Sequence, residues 1–365
     1  MSTLIFLGVL FVLVLVHELG HFAVAKWTGM RVDEFGIGFP PKLFGIKKGE
    51  TEYTFNLLPI GGFVKIFGED ATNDSGEQLR EKSGSFTSKS KWAQSAVLVA
   101  GVTMNILFAW LLVCIAFGMG VQSAVTEDQA TENAKLVITH VAEESPAGNA
   151  DLPSGAIVQG VQARGENLES LTPSAFTEFI AEHATEEHTI AYTYNGELRA
   201  LTLTPQVGII ASDPSQPALG VALAQVDILE RSVLESIRDA SFYVISGLTE
   251  ITVGIVSLIK DAVTLQADFS QVAGPIGIVG LVGDASEQGF VTLLMFTAFI
   301  SLNLAVINIL PFPALDGGRL LLVGIEALKG SPINVRYVTM LNAVGFLLLM
   351  LLMIAVTWND IARLM

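Results

Sequence analysis

The chain has 365 residues, 51% of them apolar and 15% charged, with a mean hydropathy of +0.56. A soluble domain of this length carries about 25% charged residues, so the composition excludes a wholly soluble protein and predicts an integral membrane protein with a soluble portion. The formal net charge of −16 repels phosphate backbones and excludes nucleic acid as a partner.

Residues 3–26 form the first apolar run. No Lys or Arg precedes it and no small-residue cleavage site follows, so it reads as a spanning helix rather than a signal peptide. Residues 30–68 are mixed. Gly36-Ile37-Gly38-Phe39-Pro40-Pro41 predicts a turn or re-entrant segment. Residues 52–57 alternate as a strand, and Leu58-Pro59-Ile60-Gly61-Gly62 predicts a turn into a second short strand at 63–67. Residues 70–91 are polar and loop-like, and 93–120 is a second spanning helix, which contains the one cysteine, Cys114.

A soluble α+β domain is expected over 127–225. Its candidates are a strand at 136–141, a short helix at 173–183 and an Asn195-Gly196 hairpin joining 189–194 to 198–203. Within 231–285, the stretch 242–259 is long enough to span yet carries Glu250 and several Ser, Thr and Gly. It reads as an interfacial amphipathic helix. Residues 290–313 and 337–358 are the last two spans. The fold class is therefore a polytopic α-helical membrane protein with about four transmembrane helices, split into 1–120 and 286–365 around the inserted domain.

Charge sets an expected orientation. Residues 121–290 hold 23 of the 36 Asp and Glu but 6 of the 20 Lys and Arg, whereas 26–92 hold 10 Lys and Arg. The basic short segments should face the cytoplasm, and the acidic segment and both termini the outside. A fifth span at 242–259 would reverse the helix at 290–310 and carry Asp316 away from His17.

The chemistry lies in His17-Glu18-Leu19-Gly20-His21, an H-E-x-x-H pattern inside the first span. Helical positions i and i+4 share a face, so two imidazoles there can hold one zinc ion. Glu18 can serve as general base toward the attacking water. Ionisable groups in a span are costly and mark function. A catalytic zinc takes a third protein ligand. His140, His183 and His188 belong to the soluble domain and read as surface histidines. Asp316 stands at the proper depth, either as that ligand or as the N-cap of a helix over 317–328. A non-catalytic membrane scaffold is the rival reading.

Two distant motifs, Val16-His17-Glu18-Leu19-Gly20-His21-Phe22 and Asn308-Ile309-Leu310-Pro311-Phe312-Pro313-Ala314-Leu315-Asp316-Gly317-Gly318, resemble those of the bacterial site-2 proteases, RseP-like intramembrane zinc metalloproteases. The resemblance covers nearly the whole chain. It implies one Zn2+ held by His17, His21 and Asp316, and Glu18 as the catalytic base. It also implies that Asn303, Asn308, Pro311 and Pro313 receive substrate. Further implied are a membrane-associated β-region at 34–65 and a second-helix G-x-x-x-N motif at Gly101 and Asn105. Gly274-Pro275-Ile276-Gly277 resembles the segment before the third span. Ser145–Ile157 resembles part of a PDZ domain, single here, although Gly155-Ala156 stands where Gly-Asp is usual. The implied substrates are single-span membrane proteins such as trimmed anti-sigma factors and remnant signal peptides, cut in the lipid bilayer of a bacterial inner membrane.

Overall fold

The computed structural model describes residues 1–69, 83–194, 196–210, 213–264 and 273–364. The expected loop at 70–91 falls largely outside these residues, as does Asn195 of the expected hairpin turn. The chain divides into two compact units, Met1–Met119 with Arg231–Met365, and Gly120–Glu230.

The first unit is built on long apolar helices: α1 (Ser2–Trp27), α2 (Lys91–Met119), α4 (Val233–Val263), α6 (Phe290–Ile309) and α8 (Val335–Leu364). All five are long and apolar enough to cross a membrane. Only 6% of the apolar window of α8, and 17% of that of α1, is buried against the rest of the chain. Water would tolerate neither surface; lipid covers both.

Helix α2 is the hub. Gly20 of α1 packs on the Ala100 carbonyl and Met104 so closely that a Cβ there would lie 2.8 Å from the Met104 side chain. On its other side, Ser301 of α6 donates to the Asn105 carbonyl (2.8 Å), and Trp110 donates to Ser241 of α4 (3.1 Å). Helix α4 starts with a capping box between Ser232 and Glu235. Helix α5 (Pro275–Glu287) lies at the Ser2 end of α1, where Gly283 meets the Ser2 side chain.

The N-terminus of α5 has a glycine at its N-cap, without a capping side chain. Asp360 near the end of α8 fills that role, accepting from the Gly274 and Gly277 amides at 3.0 and 2.9 Å while 4% exposed. Asp360→Ala strands two buried donors, at a cost of about 1–3 kcal/mol. Its thermal midpoint in detergent should fall measurably; an unshifted midpoint would show that the cap does not stabilise the fold.

Strands β1 (Val32–Lys48) and β2 (Thr51–Ile66) form the β-region. The expected turns at Gly36–Pro41 and Leu58–Gly62 are reversals of direction that fall inside the long strands β1 and β2. The register gives the physical reason. Residues 34–37 pair with 52–55 on one side and with 62–65 on the other, while 42–48 pair with 51–56. Each long strand therefore reverses direction to give two arms, and the four arms form one mixed sheet with edges at 42–48 and 62–66. In it, 34–37 runs parallel to 52–55 and the other two pairings are antiparallel. Gly38, at φ +80° with its Cα against the Leu58 carbonyl, occupies one bend. Gly61 packs on Val14 of α1, which seats the 62–66 arm against that helix. Ala25, Met30, Val32, Ile66, Phe86, Val97, Leu98 and Val323 close a core beneath it.

The second unit is a seven-stranded sheet in the order β3 (Val121–Val125), β9 (Val221–Leu229), β4 (Lys135–Val141), β5 (Ile157–Ala163), β7 (His188–Tyr194) and β8 (Glu197–Leu203), with β6 (Glu166–Asn167) beside β5. Helix α3 (Pro173–Glu182) has Thr172 as N-cap and Pro173 at its first turn. It buries Phe176, Phe179 and Ile180 in a core with Leu136, Ile138, Val158 and Ile190. His188, expected at the surface, is fully buried with its ring edge-on to Phe179. Its place in β7, on the inward-facing side of an alternating strand, accounts for this.

Candidate metal centre

Helix geometry puts His17 and His21 on one face of α1, both 8% exposed, with Nε2 atoms 3.0 Å apart. Asp316 comes from another element. It is the first residue of α7 (Asp316–Lys329), whose N-cap is Leu315, so the N-cap alternative for Asp316 is not realised. Its Oδ2 lies 3.1 Å from His17 Nε2 and 3.3 Å from His21 Nε2, yet makes no hydrogen bond. Two ring nitrogens and one carboxylate oxygen thus converge within 4.8 Å of one another. The donor set of two imidazole nitrogens and one carboxylate oxygen is that of a catalytic zinc site with an open position, and the residues fit the ion.

The surrounding chain is shaped for that triangle. His21 Nδ1 meets the Val97 carbonyl at 2.8 Å; a carbonyl only accepts, so Nδ1 carries the proton and Nε2 is free to ligate. Gly101 faces both rings. A Cβ there would lie 2.8 Å from His17 Nε2 and closer still to His21 Nε2. Glu18, half-buried, follows His17 on the same helix.

The turn that delivers Asp316 is constrained from three sides. Gly317 and Gly318 lie against the Ile309 and Phe312 carbonyls, where any side chain would collide. Gly345 of α8 packs on Pro313, and Asn342 accepts from the Ala314 amide at 3.3 Å. Ala314 itself has φ +72°, a left-handed conformation that strains a residue with a Cβ. Ala314→Gly should therefore raise the thermal midpoint, by the equivalent of about 1 kcal/mol, with the zinc content unchanged. A lowered midpoint would show the turn to be unstrained.

Arg319, one turn beyond Asp316, donates to the Glu69 carboxylate (2.7 Å) and carbonyl (3.3 Å). It ties the end of the β-region to the helix carrying the third ligand. Sequence reading missed this pair; the three-residue spacing of Arg319 from Asp316 was the available signal. Of the expected substrate residues, Asn303 donates to the Phe299 carbonyl of its own helix (2.9 Å) rather than to a neighbouring helix. Asn308 ends α6, and Pro311 and Pro313 lie in the turn before Asp316.

The sequence matches Peptidase family M50 over residues 5–352. The chain belongs to this family. The zinc metalloprotease RasP of Geobacillus kaustophilus is 30% identical to it over 434 residues, covering 99% of this chain and 98% of the relative. The regulator of sigma-W protease RasP of Bacillus subtilis is 28% identical, covering 96% of each. A PDZ domain of an SdrC-like protein from Listeria monocytogenes matches 26% of this chain and 92% of its own, at 16% identity and a TM-score of 0.21. As an M50 peptidase, the chain is a zinc metalloprotease of the site-2 type.

Proposed function

We propose that this protein cuts the transmembrane segments of single-span membrane proteins, of the anti-sigma-factor and remnant-signal-peptide kind, after another protease has trimmed them. The observation that carries the reading is the His17–His21–Asp316 triangle set among apolar helices that only lipid can cover. A relative named for sigma-W regulation supports the substrate class.

Four spans fit the geometry best. Helix α4 begins beside the end of α2, with Ser236 near Cys114. By Gly274 the chain stands beside Asp360, and α5 lies at the Ser2 end of α1. The chain has returned to the side it started from, so 233–274 makes no net crossing, although α4 itself runs into the bundle beside α2 and α6, with Ser241 on Trp110 and Gly247 against Leu302. Residues 26–92 then face the cytoplasm of a bacterial inner membrane, with both termini and the Gly120–Glu230 unit outside.

Glu18 is the general base: a carboxylate next to a ligand can take the proton of the attacking water and pass it to the leaving amine. Zinc, when bound, makes that water acidic and polarises the scissile carbonyl. A substrate helix satisfies its own backbone hydrogen bonds in lipid and must open to be cut. The 62–66 arm, an edge seated on α1 near His17, offers strand pairing to the opened segment. Asn308, Pro311 and Pro313 hold it against Asp316, and Asn303 turns from Phe299 to join them. Replacing Asn303 and Asn308 by Leu, singly, should each lower turnover about tenfold with zinc retained. Unchanged turnover in both would remove them from the substrate path.

The outer unit is PDZ-like in this reading. A cavity of about 240 Å³ lies between α3 and the start of β9, lined by Phe176, Ile180, Ile209, Leu219, Val221 and Leu223. Residues 221–224 pair with β4 alone, since β3 takes up only 225–229. An apolar groove beside a free strand edge suits an extended apolar chain end exposed by trimming.

The test uses the full-length protein in lipid vesicles with a tagged single-span substrate, trimmed and untrimmed. Cleavage of the trimmed form alone, lost on chelation and restored by zinc, is expected. Equal cleavage of both forms would refute the filtering role, and no cleavage of several trimmed substrates would refute the substrate class.

A further inference from the structure

Helix α2 presents Val97, Gly101 and Asn105 at four-residue spacing, one face of the helix. Val97 fixes the proton of His21, and Gly101 leaves room for both rings. Asn105 is the third member of the stripe. It is fully buried, and its side-chain amide lies 3.4 Å from His17 Nδ1.

His17 turns Nε2 toward Asp316 and His21, so when it ligates a metal through that atom its proton sits on Nδ1. Nδ1–H needs an acceptor, and Asn105 is the group facing it. As placed, Asn105 turns its NH2 to the ring while its Oδ1 is buried without a partner. That sets donor against donor. The two ends of an amide are interchangeable by a half-turn of the group, and the half-turn brings Oδ1 to Nδ1–H. Either orientation leaves one end of the amide unpaired, so the ring decides between them.

We infer that Asn105 is the positioning residue of His17, accepting its Nδ1 proton through Oδ1 and so holding Nε2 as the metal-ligating nitrogen. The Asn105 backbone is itself fixed, because its carbonyl accepts from the fully buried Ser301 of α6. The two histidines are thus oriented by different devices. His21 has a backbone carbonyl that no substitution removes. His17 depends on one side chain, itself anchored through α6, the helix that leads to Asp316.

The inference rests on His17 as a metal ligand, and the experiment separates the two. Zinc affinity of the purified full-length protein in detergent is measured by chelator competition for wild type, Asn105→Leu, Asn105→Asp and His17→Ala. Removing such an orienting partner lowers metal affinity about 10–100-fold, and that loss is expected for Asn105→Leu. Asn105→Asp keeps an acceptor at the same place and should bind at least as tightly as wild type. Wild-type affinity in the Leu variant, or a loss of tenfold or more in the Asp variant, overturns the inference. If the Leu variant does not fold, the Asp variant decides alone. His17→Ala must lose the metal; if it does not, the ligand assignment itself fails, whatever Asn105 does.

Discussion

Glu18→Gln should lower kcat/KM for a trimmed single-span substrate by about 10²–10⁴, the range a positioned general base supplies. At 1.36 kcal/mol per tenfold, that is roughly 3–5 kcal/mol of lost transition-state stabilisation. The substitution is nearly isosteric and preserves hydrogen bonding, but an amide cannot take a proton at neutral pH. Glu18 is not one of the converging ligand atoms, which belong to His17, His21 and Asp316. The variant should therefore hold one zinc per chain, as wild type does. That combination of full metal and lost turnover distinguishes a base from a ligand. His17→Ala and Asp316→Ala should lose both together. Measuring zinc and product on the same preparations makes the comparison direct. If Glu18→Gln kept turnover within a few-fold of wild type, the base would have to be another group. Glu69, held by Arg319 at the end of the β-region, would be the next to test.

The sequence and the structure agree where one local rule decides. Long uncharged runs could only be helices, and H-E-x-x-H on a helix could only place both imidazoles on one face. Asp316 was harder. Its spacing before Gly317 suited a cap as well as a ligand, and the resemblance to a family, not local physics, chose between them. The β-region shows a different limit. Turns were expected at 36–41 and 58–62, and the chain does reverse at both, but the parallel pairing of 34–37 with 52–55 that follows from the two reversals was not legible. Period-two patterning marks strands; it does not reveal one strand pairing on both sides. For 242–259, composition alone fits a span or an interfacial helix equally. Contacts of α4 with Trp110 of α2 and Leu302 of α6 carry it into the bundle, and those are tertiary facts. Least legible was the support around the ligands. The Val97 group that fixes His21 is a backbone carbonyl, and every residue type carries one.

Gly101→Ala should abolish zinc binding, and activity with it, while leaving the helix bundle folded. Alanine is the better helix former by about 1 kcal/mol, so local propensity predicts a small gain in stability. The site predicts the reverse for function. The added Cβ would stand 2.8 Å from His17 Nε2 and nearer to His21 Nε2, against the atoms that must face the metal. Neither ring can simply swing away. His21 is tied to Val97 through Nδ1, and the rings already stand edge to face at 4.7 Å. Relief must come from parting α1 and α2 or from turning a ligand off the metal. The first is resisted by the close seat of Gly20 on the Ala100 carbonyl, one residue from Gly101, so the second should prevail. Chelator competition on Gly101→Ala should then show zinc affinity reduced at least 100-fold, with helical content by circular dichroism unchanged. Restored affinity in a His17→Ala, Gly101→Ala double variant is not expected, because one ligand would still be missing. Normal zinc binding by Gly101→Ala would mean that α2 lies farther from the two histidines than described, and the four-residue stripe on α2 could not orient them.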